Sequence, residues 1–175
     1  MSVVRVVLFV LALLAGALSA GFFYTFSILI MPALATADAG TAILAMQKIN
    51  LSVRTALFAF AFFGAPALAL LTAAAAGLAG HRLAAWLALA SGLLQVGAVF
   101  AVTMLVNVPL NEALAPVAVS GPAAAATWGA YDARWTPWNH VRAVGAAVSF
   151  LILLAAFASD AAARRERGSD AIAMT

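Results

Sequence analysis

Long apolar runs alternate along this chain with short segments in which polar residues gather. Four runs are long enough for a helix that crosses a bilayer, which needs about 20 residues at a rise of 1.5 Å per residue. They cover about residues 3–31, 52–78, 83–106 and 137–162. Pro32 is expected to end the first run, and Pro137 suits the first turn of the fourth. The pattern predicts an all-α, polytopic membrane protein that forms a bundle of four transmembrane helices.

Two connections between these runs carry patterns of their own. Residues 41–51 have helical character, with Asp38 or Thr41 as a possible N-cap, and are expected to lead into the second span. Residues 121–136 combine an alanine run with aromatic residues suited to the membrane interface. We therefore predict short interfacial helices on one side of the bundle. A single domain is expected over residues 1–163, followed by a polar tail over residues 164–175.

Composition favours lipid as the surrounding solvent. The chain is 66% hydrophobic and 9% charged, whereas soluble domains carry about 25% charged residues. A soluble fold of this size could not bury so much apolar surface. The formal net charge of +3 is not gathered into a basic stripe, so no nucleic-acid partner is expected. The absence of cysteine excludes disulfides and thiolate chemistry.

Basic residues predict the orientation in the membrane. Four spans place both termini on one side, together with Arg82 and the arginines near each terminus. The remaining basic residues sit among polar motifs on the other side. The positive-inside rule then predicts a multi-pass protein of the cell membrane with both termini cytoplasmic. His81, in the short turn on that side, is expected to be incidental.

The polar residues of chemical interest gather at the non-cytoplasmic end. Thr103, Asn107 and Asn111 are spaced four apart and form one stripe of a helix. Polar residues within a membrane tend to face the bundle interior or a water-filled cavity. We therefore expect the stripes to converge on a pocket with aromatic walls. The other residues expected there are Gln47, Asn50 and Arg54 on one face, and Trp135, Trp138 and Arg142 on another, with Asn139 beside them.

Each of these features also has a purely structural interpretation. Asn107 and Asn111 could bond helix to helix, and the tryptophans could be interface anchors. Arg142 could pair with Asp132 or Glu112. Glycines at 64, 92, 97 and 145 could support a homodimer or packing inside one bundle.

His140 is the residue whose chemistry leaves most alternatives open. It could act as an acid, a base or a ligand. A zinc or non-haem iron site normally needs three protein ligands, and only Glu112 and Asp132 could supply the others, so no metal site is predicted. Haem needs a single axial histidine and stays a minority alternative to a protein without cofactor.

Motifs along nearly the whole chain, in the right order, resemble the anthrone oxygenase-like family of small four-helix membrane proteins. They are Gly21-Phe22-Phe23-x-x-Phe26 leading to Ile30-Met31-Pro32, Met46-Gln47-x-Ile49-Asn50, Asn107-Val108-Pro109-Leu110-Asn111 and Trp135-x-x-Trp138-Asn139-His140-Val141-Arg142. Some fungal members oxidise an anthrone to an anthraquinone with molecular oxygen and no established cofactor, so the resemblance implies a flat aromatic or quinone-like substrate.

If that chemistry carries over, the resemblance implies a catalytic role for four residues. His140 would be the base, and Asn107, Asn111 and Arg142 would donate hydrogen bonds to the enolate oxygen. Trp135 and Trp138 would stack on the substrate rings. Two alternatives stay open: a haem- or quinone-binding redox protein, and a non-enzymatic protein that binds a small hydrophobic molecule.

Overall fold

The computed structural model describes the backbone of residues 3–173 and the side chains of residues 3–165. These residues form helices and no strand. The helices are α1 (Val3–Ala35), α2 (Ala39–Ser52), α3 (Ala56–Leu78), α4 (Arg82–Leu114) and α5 (Ala124–Ala173). All except α2 are long and apolar enough to cross a membrane. The predicted class, an all-α multi-pass membrane protein with four spanning helices, is confirmed.

Small residues hold the spanning helices close together. A Cβ added to Gly145 on α5 would lie 2.5 Å from the Cβ of Ala98 on α4, and one added to Gly92 would lie 2.7 Å from Leu70 on α3. Both glycines therefore serve packing inside the bundle. Gly80, which joins α3 to α4, has φ of 76°, a left-handed conformation that side chains with a Cβ disfavour.

Several turns of these helices are wider than α-helical turns. The π-helical segments are Phe26–Ile30 in α1, Phe60–Gly64 in α3, and Gln95–Ala101 and Thr103–Asn107 in α4. In a regular α-helix, residues four apart drift around the axis by about 40° per step. Wider turns offset this drift, because each holds more residues. Polar residues at four-residue multiples along α4 therefore all stay buried: Ser91, Gln95, Thr103 and Asn107.

The boundaries of the α2–α3 region differ from the prediction. Asp38 does cap α2, since its Oδ1 accepts from the backbone N–H of Thr41 at 2.9 Å. Helix α2 does not continue into the second span, however. It ends at Ser52, and Thr55 begins α3 by accepting from the backbone N–H of Phe58. An N-capping threonine therefore makes residues 39–52 a separate helix.

Three spanning helices are longer than predicted. Helix α1 continues past Pro32, where it was expected to end, to Ala35. Helix α4 continues past Pro109 to Leu114, directly after a π-helical turn. Helix α5 begins at Ala124, so Pro137 lies inside it and not at its start. Membrane helices tolerate an internal proline because neighbouring groups can satisfy the freed carbonyl. The predicted polar tail is helical as far as Ala173, and residues 174 and 175 lie outside the described part.

A buried ionic cluster joins three segments at the end of the bundle that carries the termini. Asp160 of α5 is fully buried, and its Oδ1 lies 2.9 Å from Nε of Arg5 and 2.7 Å from Nδ1 of His81. Its Oδ2 lies 3.2 Å from Nε of Arg164. We call these four residues the Asp160 cluster. The expectation that His81 is incidental is wrong, because a buried carboxylate needs such partners.

Candidate functional site

A cavity of about 520 Å³ opens at the end of the bundle opposite the Asp160 cluster. This volume lies within the range of small-molecule pockets, about 300–1,000 Å³. All five helices contribute to its wall. Its aromatic lining consists of Phe22, Phe23, Phe26, Phe58, Phe62, Phe63 and Trp135. The cavity therefore brings polar and aromatic residues of all five helices together at one end of the bundle.

Packing among the rings fixes the shape of this wall. The centroids of Phe58 and Phe62 are 5.4 Å apart with planes inclined by 10°, and Phe22 lies 5.0 Å from Phe58. On the other side, Phe26 lies 5.5 Å from Trp135. Three of the four π-helical segments contribute lining residues, which is a frequent use of π-bulges. The wall suits a flat aromatic ligand.

Arg142 supplies a buried positive charge to this wall. Its Nη1 donates to Oγ1 of Thr103 at 3.2 Å, and its Nη2 donates to Oδ1 of Asn139 at 3.0 Å. The guanidinium also lies over the rings of Phe23 and Trp135, 4.7 and 4.8 Å from their centroids. Among the described residues, no carboxylate forms an ion pair with it. The alternative in which Arg142 pairs with Asp132 or Glu112 is therefore not what the structure shows.

Asn139 orients Arg142 from behind the cavity wall. It is fully buried, and its Nδ2 donates to the carbonyl of Phe23 at 3.0 Å and to Oγ of Ser27 at 2.8 Å. Those bonds leave Oδ1 facing the guanidinium. Ser27 Oγ in turn lies 2.9 Å from Nδ1 of His140. A chain of polar contacts thus runs from His140 through Ser27 and Asn139 to Arg142.

The two asparagines of α4 differ in their relation to the cavity. Oδ1 of Asn111 accepts from the Tyr131 hydroxyl at 2.7 Å and from Nε1 of Trp135 at 2.8 Å, and Asn111 lines the cavity. Asn107 is fully buried behind the lining, where its Nδ2 donates to the carbonyl of Trp135 at 3.2 Å. Asn107 therefore joins α4 to α5, which agrees with its structural interpretation.

Gln47 attaches α2 to the end of α4. Its Nε2 lies 3.0 Å from the carbonyl oxygens of Leu114 and Val117 and 3.3 Å from that of Ala115. These carbonyls belong to Leu114, the last residue of α4, and to the segment after it, so they accept no N–H from within the helix. Gln47 also lines the cavity, together with Asn50. Its amide therefore fixes one wall of the cavity.

Charged side chains surround the mouth. Lys48 of α2, Arg54 of the α2–α3 connection and Glu112 of α4 are exposed and line the cavity. Among the described residues, none of the three forms an ion pair. Together with Arg142, the described residues supply three cations and one carboxylate to the cavity wall. Of these four, only Arg54 and Arg142 were among the predicted site residues.

The structure divides the predicted site residues into two groups. The cavity is lined by Asn111, Arg142, Trp135, Gln47, Asn50 and Arg54, whereas the lining does not include His140, Asn107, Trp138 or Asn139. The expected shared face of Trp135, Trp138 and Arg142 is wrong at Trp138, which is 43% exposed on the outer surface of α5 and suits an interface anchor. His140 is also exposed.

Within the described residues, no group of three or more histidine, aspartate or glutamate side chains is arranged to hold a metal ion. Lys48 and Glu112 were predicted to lie at this end of the bundle but were not among the predicted site residues. The residues that sequence reasoning missed are Phe58, Phe62 and Phe63 of α3. No sequence signal distinguished them, because a helix that faces lipid shows the same kind of apolar run.

The fold and the site together define a small helical membrane protein with an aromatic, cationic ligand cavity at one end. A family model described as Anthrone oxygenase matches residues 55–152. The chain belongs to this anthrone oxygenase family. No curated protein and no solved structure matches it. The matched region contains α3, α4, Trp135 and Arg142, which confirms the resemblance drawn from the motifs.

Proposed function

We propose that the protein is a membrane oxygenase that uses molecular oxygen to oxidise a flat, enolisable aromatic compound of the anthrone type. The observation that carries this proposal is the position of Arg142, a buried cation in an aromatic cavity that pairs with no carboxylate of the described residues. Such a group stabilises a negative charge that develops on a bound ligand. Membership of the anthrone oxygenase family supports the choice of substrate class.

The proposed reaction starts with removal of a proton from the CH2 group of the anthrone. The electron pair moves onto the ring carbonyl oxygen and gives an enolate, which Arg142 stabilises. The enolate carbon then forms a bond to O2, and the resulting peroxide takes up a proton. Loss of the second C–H proton breaks the O–O bond and leaves a carbonyl group. One anthrone and one O2 thus give one anthraquinone and one water.

Catalysis then requires an oxyanion donor and a base on opposite sides of the ligand. The carbonyl and the CH2 group of an anthrone face each other across the central ring. Arg142 is buried in the wall, and Nδ2 of Asn111 is the second candidate donor. Glu112 lies exposed at the mouth. We therefore propose Glu112 as the base in place of His140, since the lining does not include His140.

The activity is tested with purified protein in an uncharged detergent and anthrone under air. Anthraquinone formation and oxygen consumption are recorded together, with heat-inactivated protein as the control for spontaneous oxidation. We expect protein-dependent turnover at one O2 per anthraquinone. A rate equal to that of the control would refute the oxygenase proposal and leave a protein that binds a hydrophobic ligand without reaction.

A further inference from the structure

The charges on the cavity wall occupy two levels. Arg142 is 4% exposed, whereas Lys48 and Arg54 are exposed at the mouth. The reaction proposed above uses one cation for one oxyanion. It has no use for Lys48 or Arg54, so a neutral anthrone would leave two cavity-lining cations without a function.

The surroundings of Lys48 and Arg54 leave them available to a ligand. They lie on α2 and on the α2–α3 connection, and neither forms an ion pair among the described residues. Of the described residues, Glu112 of α4 alone contributes a carboxylate to the wall. With Glu112 ionised, the wall still carries an excess of positive charge. A cleft with charge of one sign attracts ligands of the opposite sign.

We propose that the natural substrate is an aromatic acid: a flat ring system that carries an ionised carboxylate on its outer ring. This inference rests on the proposed function and narrows its substrate class. The ring system enters among the phenylalanines and Trp135 with its carbonyl directed to Arg142. The carboxylate stays at the mouth, where Lys48 and Arg54 bind it and water still reaches it. Lys48 and Arg54 also orient the ligand, because they attract the ionised group to the mouth and leave Arg142 to the carbonyl oxygen.

The test uses two ligands that differ only in charge, anthraquinone-2-carboxylate and anthraquinone-2-carboxamide. Affinities are measured by isothermal titration calorimetry at pH 7 in an uncharged detergent. We expect the carboxylate to bind about tenfold more tightly, because each exposed charge pair contributes up to about fivefold. The double variant Lys48→Gln/Arg54→Gln should lose this preference. Arg134→Gln, at an exposed arginine of α5 outside the lining, is the matched control and should keep it.

Equal affinities in the unaltered protein would overturn the inference. So would a preference that survives in the double variant, which would mean that the two cations only reach toward lipid headgroups. Turnover of unsubstituted anthrone separates this failure from that of the proposed function. If the protein oxidises anthrone but binds the carboxylate no more tightly than the carboxamide, the aromatic-acid inference is refuted and the oxygenase proposal stands. Carboxylate preference without any turnover refutes the oxygenase and supports the aromatic acid as a ligand.

Discussion

The guanidinium of Arg142 lies 4.8 Å from the ring centroid of Trp135, and both side chains line the same cavity. The ring face attracts the cation but does not neutralise it, whereas a carboxylate would. Thr103 and Asn139 add two neutral acceptors. The site thus holds a positive charge in a fixed orientation and leaves it available to a ligand oxyanion.

Arg142→Met should lower anthrone turnover by at least about 100-fold, because loss of one oxyanion donor typically costs that much. Arg142→Lys should recover only part of the activity, since an ammonium group cannot reach Thr103 and Asn139 in the same planar arrangement. The measurement is anthraquinone formation per folded molecule, with gel filtration as the check on folding. Arg134→Met is the matched control, and an equal loss there would contradict the assignment.

Glu112→Gln should abolish most of the turnover if Glu112 removes the proton, since an amide cannot act as a base. His140→Ala should lower the rate only a few-fold, because His140 contacts Arg142 only indirectly, through Ser27 and Asn139. The comparison is made with deuterated anthrone, whose isotope effect reports the proton transfer. The opposite pattern, with His140→Ala inactive and Glu112→Gln active, would restore His140 as the base.

Gly145→Ala should destabilise the bundle, because the new Cβ would lie 2.5 Å from that of Ala98, a rigid neighbour. Overpacking of this kind costs about 1–3 kcal/mol. Gly97→Ala is the matched control, since a Cβ there meets nothing within 4 Å. Thermal unfolding in detergent should show a lower midpoint for Gly145→Ala alone. Equal midpoints would mean that α4 and α5 are not in close contact at Gly145.

Asp160→Asn should also destabilise the protein strongly, by about 3–5 kcal/mol, because it leaves the buried Arg5 without its carboxylate partner. Asp132→Asn, on the same helix, is the control: the Asp132 carboxylate is half-buried and accepts from Thr136. Adding Arg5→Met to an Asp160→Leu variant should recover part of the loss, since an apolar pair costs less than a broken ion pair. Failure of Asp160→Asn to lower the unfolding midpoint would contradict a structural role for the cluster.

Gln47→Leu should loosen α2 while leaving the four spanning helices folded. The substitution keeps much of the side-chain volume but removes the donor to the carbonyls of Leu114, at the end of α4, and of Val117 after it. Hydrogen exchange measured by mass spectrometry should then rise over residues 39–52. Thr41→Val is the control, because the Asp38 cap uses the backbone N–H of Thr41 and survives the change.

The four spans and the cavity-bearing end of the bundle were predictable because each rests on a local property of the sequence. Apolar run length predicts a span, and the spacing of Thr103, Asn107 and Asn111 predicts a shared face. The rotation of each helix about its own axis, which decides the residues that face the bundle interior, was not predictable. Asn139 and His140 are neighbours, yet one is fully buried and the other exposed. Alanine-rich helices offer similar surfaces all round, so periodicity does not orient them.

The Asp160 cluster was missed for a different reason. Its members come from α1, the α3–α4 turn and α5, and no local pattern joins residues so far apart. A sign was nevertheless present, since an aspartate close to an apolar run needs a partner. The break between α2 and α3 was also indicated by the sequence. Thr55 is a good N-cap, but the apolar residues around it gave the appearance of one continuous helix.

The Asp160 cluster has a consequence for the order in which this protein is made. Arg5 is synthesised first and His81 next, but their shared carboxylate arrives only with α5. Until then, the early helices must keep these polar side chains near water or within the insertion machinery, since lipid disfavours them. A chain in which α5 is not yet in place would therefore keep Arg5 without its buried counter-charge. The ionic contacts of this cluster thus form only after α5 has packed against α1.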